Sequence, residues 1–86
     1  MKSVHTKEYS KFLQIMIAAR KQTGLTQQQL AELLNKPQSY VSKYERGERR
    51  LDVIEFLIIA KVLKLDPYNV IEKIGCAQSF ASSQRK

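Results

Sequence analysis

Residues 25–47 of this 86-residue chain, LTQQQLAELLNKPQSYVSKYERG, predict two short helices joined by a tight turn. Thr26 and Gln29 have the T-x-x-Q spacing of a capping box, which starts the first helix. Asn35 tolerates a left-handed backbone, and Pro37 lacks a backbone donor. The first helix is therefore expected to end at Asn35, and the second to begin near Pro37 and to end at the final glycine of the stretch.

The spacing within this stretch is more informative than its composition. Counted from Gln27, the small residue Ala31 is fifth, Asn35 is ninth, Val41 is fifteenth and Tyr44 is eighteenth. Two helices that cross steeply need a small residue at their closest approach, a turn residue that accepts a positive φ, and apolar anchors on the second helix. These requirements together predict a helix-turn-helix unit at about residues 26–46.

Several short motifs then point to one family. They are LTQ at 25–27, LA at 30–31, QSYVSK at 38–43, ERG at 45–47, AK at 60–61 and Leu63. With these motifs the sequence resembles the Xre family of helix-turn-helix regulators, which includes the lambdoid phage repressors. The resemblance covers roughly residues 12–65 and implies an all-α fold, a compact five-helix bundle of the lambda-repressor-like DNA-binding type.

The resemblance also implies how the chain would bind double-stranded DNA. A recognition helix at about residues 37–46 is expected to lie in the major groove. Glutamine pairs with adenine and lysine with guanine, and Gln38 is the strongest candidate because it heads the helix. The expected base contacts are Gln38, Ser39, Ser42, Lys43 and Tyr40. The expected phosphate contacts are Gln27, Lys36, Arg46, Arg49 and Arg50.

A buried ion pair is expected behind the recognition helix. Arg20 falls on the apolar stripe of the first helix, so it should be partly buried and should need a partner. The resemblance implies that this partner is Glu45. The apolar residues of the same stripe are expected to lie in the core: Tyr9, Phe12, Leu13, Met16 and Ile17.

The fourth helix carries more apolar surface than one small core can bury. Asp52 and Glu55 form a D-x-x-E capping box that starts it. Its expected core stripe is Val53, Phe56, Ala60 and Leu63. A second apolar row needs a cover, either the fifth helix or a partner chain. We therefore expect a homodimer whose interface includes Ile54, Ile58, Val62, Ile71 and Ile74.

The composition narrows the classes of function. The formal net charge is +7, which favours a nucleic acid or an anionic membrane as the partner. The chain has one cysteine and one histidine, so no internal disulfide, metal site or cofactor is expected. No secretory signal or membrane span is visible, which favours a cytoplasmic protein. Residues 1–5 and 76–86 lack apolar periodicity and are expected to be flexible tails around a domain at 6–75.

The preferred interpretation is a small sequence-specific regulator, a repressor at a palindromic site, and not an enzyme. The sequence contains no phosphate-binding glycine loop and no nucleophile–base set. Two alternatives are left open. One is an antitoxin that binds DNA and also a toxin partner. The other is a protein-interaction module that keeps the fold without binding DNA.

Overall fold

The computed structural model describes residues 6–75, which form five α-helices and no strand. The helices are α1 (Lys7–Gln22), α2 (Gln27–Leu34), α3 (Gln38–Glu45), α4 (Val53–Val62) and α5 (Pro67–Lys73). The predicted all-α fold with five helices is thus confirmed. None of these five helices is long and apolar enough to span a bilayer. The two segments expected to be flexible, 1–5 and 76–86, lie outside the described residues.

Both predicted capping boxes are present. Thr26 Oγ1 accepts the N–H of Gln29 at 3.0 Å, and Gln29 Oε1 accepts the N–H of Thr26 at 2.9 Å. At the start of α4, Asp52 Oδ1 accepts the N–H of Glu55 at 2.8 Å, and Glu55 Oε1 accepts the N–H of Asp52 at 2.9 Å. Each box satisfies two backbone donors that the first turn of a helix leaves without a partner. The sequence therefore fixes where α2 and α4 begin.

The turn between α2 and α3 has the backbone that its sequence predicts. Asn35 adopts a left-handed conformation with φ 64°, and the N–H of Lys36 then bonds the carbonyl of Ala31 at 2.9 Å. Pro37 is the N-cap residue of α3. Gly47, with φ 79°, ends α3 by a similar left-handed turn. The two helices are consequently joined by three residues and have little freedom to change their crossing angle.

All five helices contribute to one hydrophobic core. In α1, the predicted stripe is confirmed for Phe12, Leu13 and Met16, whereas Tyr9 and Ile17 are only half-buried. The small residue Ala31 is buried, as expected for the closest approach of two helices. The buried cluster comprises Phe12, Leu13, Met16, Ala19, Leu30, Ala31, Val41, Tyr44, Phe56, Ile59, Ala60, Leu63 and Val70.

One residue of the predicted core stripe lies outside the core. Val53 is 67% exposed, so its placement in the core was wrong. The buried arc of α4 consists of Phe56, Ile59, Ala60 and Leu63. This arc is rotated towards Ile59, and Val53 lies at its edge, on the first turn of the helix. The outer side of α4 is therefore even more apolar than the sequence pattern indicated.

Tyr44 is the largest fully buried side chain of the core. Its hydroxyl has no hydrogen-bond partner within the part of the chain that the structure describes. Burial raises the pKa of this phenol well above its ordinary value, so it stays neutral. Its ring packs edge-on against Tyr40, with centroids 5.8 Å apart. In contrast, the hydroxyl of Tyr9 accepts the N–H of Leu51 at 3.1 Å.

This difference leads to opposite expectations for two tyrosine-to-phenylalanine substitutions. Tyr44→Phe removes a buried hydroxyl that makes no bond, so the free energy of unfolding should stay constant or rise by about 1 kcal/mol. Tyr9→Phe leaves the N–H of Leu51 without its acceptor and should lower that free energy by about 1 kcal/mol. Urea unfolding followed by circular dichroism measures both values. A clear loss of stability in Tyr44→Phe would contradict the absence of a partner.

Candidate nucleic-acid interface

One face of α3 packs against α1 and α2, and the opposite face is exposed to solvent. Val41 and Tyr44 are buried, which anchors the helix. Gln38, Ser39 and Lys43 are exposed on the opposite side. Ser42 is half-buried at the edge of this face. Four of the five predicted base-contacting residues therefore lie along one polar surface of a firmly packed helix.

The inner end of α3 is held by an ion pair. Arg20 Nε donates to Glu45 Oε2 at 2.8 Å, and a second guanidinium nitrogen donates to Glu45 Oε1 at 3.1 Å. The third nitrogen donates to the carbonyl of Leu25 at 2.9 Å, just before α2. Both charged residues are buried. The structure thus brings together Arg20 and Glu45 and ties α1 to the end of α3 and to the entry of α2.

Two glutamines extend this network to the surface. Gln27 Nε2 donates to Glu45 Oε1 at 2.9 Å, and Gln38 Nε2 donates to Gln27 Oε1 at 2.8 Å. The ionised carboxylate of Glu45 only accepts hydrogen bonds, so the NH₂ group of Gln27 must face it. The carbonyl of Gln27 then faces Gln38, and Gln38 must present its own NH₂. The buried charge therefore sets the orientation of both amides.

Tyr40 is placed differently from the other predicted base contacts. It is half-buried, and its ring lies between Lys36 Nζ, 5.2 Å from the centroid, and Arg49 Cζ, 4.9 Å from it. Its hydroxyl lies near the carboxylate of Glu55, whose charge contributes to raising the pKa of Tyr40. Arg49 donates to both oxygens of Glu55, at 3.1 and 2.8 Å. Tyr40 and Arg49 thus pack together against the start of α4.

The charges in this cluster shift two pKa values. The hydrogen bonds from Arg49, followed by the backbone bond at Asp52, lower the pKa of Glu55 to about 2. Burial, followed by the charge of Glu55, raises the pKa of Tyr40. Near neutral pH, Glu55 is therefore charged and the phenol is neutral. The cluster joins α3 to α4 by a charge-assisted network.

The other predicted phosphate contacts surround this face. Arg46 donates to Glu48 at 3.0 and 3.1 Å and to the hydroxyl of Ser42 at 2.9 Å, and it is exposed. The guanidinium carbon of Arg50 lies 4.4 Å from the centroid of the Tyr9 ring. Arg50 therefore leans towards α1, whereas Arg46 stays on α3.

The residues expected at a dimer interface fall into two groups. Ile54, Ile58 and Ile71 are exposed. Val62 and Ile74 are half-buried and pack against the core. The first group is thus more open to another molecule than the second. Among residues 6–75, no cluster of histidine, cysteine, aspartate and glutamate could hold a metal ion.

Two features of this site were not predicted from the sequence. The first is the link from Gln38 through Gln27 to Glu45, which joins residues 11 and 18 positions apart. The second is the packing of Arg49 with Tyr40 and Glu55. Neither follows a helical repeat or a capping pattern, since each joins different helices. The D-x-x-E box was the only available signal, because it placed Glu55 at the start of α4.

Comparisons with known proteins agree with this geometry. A family model described as helix-turn-helix matches residues 16–68, which span α2, α3 and α4. Among solved structures, the chain is similar to one described as an XRE-family like protein from Pseudomonas syringae pv. tomato str. DC3000. The two share 45% identity, with a TM-score of 0.74, over 78% of this chain and 82% of that chain. No curated protein matches this chain.

The Arg20–Glu45 ion pair at the C-terminal end of α3 should make a large contribution to the free energy of unfolding of the domain. Arg20→Ala leaves a buried carboxylate without its partner and should lower the free energy of unfolding by about 3 kcal/mol or more. The double substitution of Arg20 and Glu45 by methionine removes both charges and should recover much of that loss. Urea unfolding measures both variants. A loss below about 1 kcal/mol in Arg20→Ala would contradict this role.

The Arg49–Glu55 pair should make stability depend on acid pH. Its carboxylate has a pKa of about 2 in the folded chain, below its ordinary value of 4.5. The contribution of the Arg49–Glu55 pair to the free energy of unfolding is therefore fully present above pH 4.5 and is lost as the pH falls towards 2. Glu55→Gln keeps the capping box but removes the charge. At neutral pH this variant should have a free energy of unfolding about 1 kcal/mol below that of the wild type. As the pH falls from 4.5 towards 2, its free energy of unfolding should decrease less than that of the wild type.

Proposed function

The chain belongs to the XRE family of helix-turn-helix DNA-binding regulators, and from this we propose that it binds double-stranded DNA sequence-specifically as a small transcriptional regulator. The recognition helix α3 would enter the major groove of a palindromic site. We further propose that the protein is a repressor, whose occupancy of the site blocks polymerase. The observation that carries this proposal is the fixed orientation of Gln38 at the exposed start of α3.

The oriented amide of Gln38 matches the edge of adenine. Its NH₂ group uses one hydrogen for Gln27 and keeps the other to donate to N7, while its carbonyl accepts from N6. An amide that is already held in the free protein needs little ordering on binding. Ser39, Ser42 and Lys43 extend the same surface, and the lysine suits the acceptors of guanine.

The phosphate contacts of this proposal come from two kinds of group. Both side-chain groups of Gln27 are engaged, so its backbone N–H, at the start of α2, is the group that would hold a phosphate. Arg46 and Lys36 are exposed beside α3 and would add positive charge. Arg49 is engaged with Glu55, and we assign it to positioning α3 instead of contacting DNA.

A palindromic site requires two copies of the chain. Two recognition helices would enter successive major grooves about 34 Å apart. If the complex neutralises about six phosphates, affinity should fall about a thousandfold between about 50 and 200 mM salt. The net charge of +7 favours such an electrostatic contribution.

Selection of bound duplexes from a randomised DNA pool, at about 100 mM salt, tests the proposal directly. We expect enrichment of a two-fold-symmetric sequence whose half-sites are about one helical turn apart. We also expect an adenine within each half-site that depends on Gln38. A pool that binds without enrichment, or does not bind, would overturn sequence-specific DNA binding.

Two substitutions should separate base reading from phosphate contact. Gln38→Ala should relax the preference at one base pair of each half-site, with a loss of about 1–3 kcal/mol for the preferred base. Arg46→Ala should weaken all sequences similarly and lower the salt dependence. Fluorescence anisotropy with matched and mismatched duplexes measures both effects.

Glu48→Gln is the matched control for Arg46. It removes the carboxylate that competes for this arginine and should tighten binding to every duplex.

An equal loss of affinity for all DNA sequences in Gln38→Ala would contradict the role of Gln38 in base reading.

A further inference from the structure

A groove runs between the start of α1, the loop before α4, and α5. Its volume is about 330 Å³, and its apolar lining consists of Tyr9, Phe12, Val53, Phe56, Ile71 and Ile74. Val53 and Ile71 are 67 and 48% exposed, so they leave its outer edge open. A concave apolar surface of this size is typical of a site that another group fills. We call it the α1–α5 groove.

Aromatic rings form the inner wall of this groove. The centroids of Tyr9 and Phe12 are 5.3 Å apart, and Phe12 meets Phe56 edge-on at the same distance. Ring pairs at such spacings gain energy beyond the apolar area that they bury. A further aromatic ring is therefore a better occupant of the groove than an aliphatic side chain.

The C-terminal end of α5 lies beside the groove. A smaller hollow of about 180 Å³ is lined by Lys7, Lys11 and Gly75, and it shares Glu8 and Ile74 with the groove. Gly75 has a φ of 107°, a value that favours glycine, and the chain turns away from the axis of α5 there. The hollow thus offers the residues that follow a path from Gly75 past Ile74 to the groove.

The residues that follow include one suitable occupant. Residues 76–86, CAQSFASSQRK, contain a single large apolar side chain, Phe80. It is the fifth residue after Gly75, and five residues span at most about 18 Å, which brings its ring within reach of the groove. A segment joined to its site by a few residues has an effective concentration on the order of millimolar. Even the weak contact of one ring is then populated.

The charges of the groove and of this segment are complementary. Glu8 and Asp52 line the groove and are exposed. Arg50 also lines it and lies 4.4 Å from the centroid of an aromatic ring of α1. The charged residues of the segment are Arg85 and Lys86, both basic. The two acidic residues of the groove therefore attract the segment that carries the phenylalanine.

We propose that the α1–α5 groove is the docking site of residues 76–86 of the same chain, with the ring of Phe80 seated against Tyr9, Phe56 and Ile71. The docked segment would join α1, α4 and α5. This departs from the sequence-based expectation of a flexible tail, and it does not rest on the proposed function. Residues 1–5 also adjoin the groove, at Thr6, but they contain no phenylalanine, tyrosine or tryptophan.

Nuclear magnetic resonance of the full chain tests where Phe80 lies. We expect nuclear Overhauser effects (NOEs) from its ring to the methyl groups of Ile71 and Ile74. Leu33 is the control, since it is 61% exposed on α2, and its methyl groups should show none. A Phe80 ring without an NOE to any methyl group of the groove would overturn the proposal. NOEs from Val4 in their place would also overturn it, because residues 1–5 would then fill the groove.

A mixture of differently labelled chains tests which chain supplies the segment. Half of the chains carry labelled phenylalanine rings and half carry labelled isoleucine methyl groups, so only a contact between two chains gives an NOE between the labels. We expect no NOE from Phe80 to Ile71 or Ile74 in this mixture. Such an NOE would place the segment of a second copy in the groove and would overturn docking within one chain.

The unfolding equilibrium measures how strongly docking stabilises the fold. A segment that is docked for about nine-tenths of the time stabilises the folded chain about tenfold, as a bound ligand would. Phe80→Ala should therefore raise the equilibrium constant for unfolding about tenfold. Gln78→Ala is the matched control in the same segment and should change that constant less than about twofold. Urea unfolding followed by circular dichroism measures both variants.

A double-mutant cycle tests the contact between Phe80 and Ile71. In a chain that carries Phe80→Ala, Ile71→Ala should raise the unfolding constant less than it does in the wild type, because its partner is already removed. Leu33→Ala should have the same effect in both backgrounds. Equal effects of Ile71→Ala in the two backgrounds, or a change below about twofold in Phe80→Ala, would overturn the proposal.

Discussion

The buried ion pair between Arg20 and Glu45 is the interaction on which the rest of this domain depends. One guanidinium group bonds both oxygens of Glu45 and also the carbonyl of Leu25. It therefore joins α1, the entry of α2 and the end of α3 in a single contact. A buried charge is tolerated only where its bonds are satisfied, so this contact also specifies how the three helices meet. The apolar core supplies the packing around it.

The same contact reaches the surface through amide groups. Glu45 accepts from Gln27, and Gln27 accepts from Gln38. Because a carboxylate cannot donate, its position determines which atoms of both glutamines face outward. The fold and the polar surface of α3 are thus parts of one network. On the other side of α3, Tyr40 packs against Arg49, which bonds Glu55 of α4, so charged groups hold α3 at two places.

Much of the fold was predictable because its signals are local. Capping boxes, a left-handed asparagine and apolar repeats each depend on residues a few positions apart, and the structure contains them. The error at Val53 has a physical reason. Periodicity defines a stripe, but the contacts with other helices decide how far along that stripe the core extends. The contacts of Tyr40 and Arg49 were not predictable either, since they join α3 and the following loop to α4 through long side chains.

The chain of bonds that ends at Gln38 also bears on how such a protein can diverge. A substitution at Gln38 that removes its NH₂ group takes away the side-chain donor to the carbonyl of Gln27, which in turn is positioned by Glu45. Ser39 and Lys43 stand exposed beside this chain of bonds and do not belong to it. Substitutions at Ser39 and Lys43 therefore leave the bonds among Gln38, Gln27 and Glu45 in place, so the exposed surface of α3 can change at these two positions without disturbing the buried ion pair behind it.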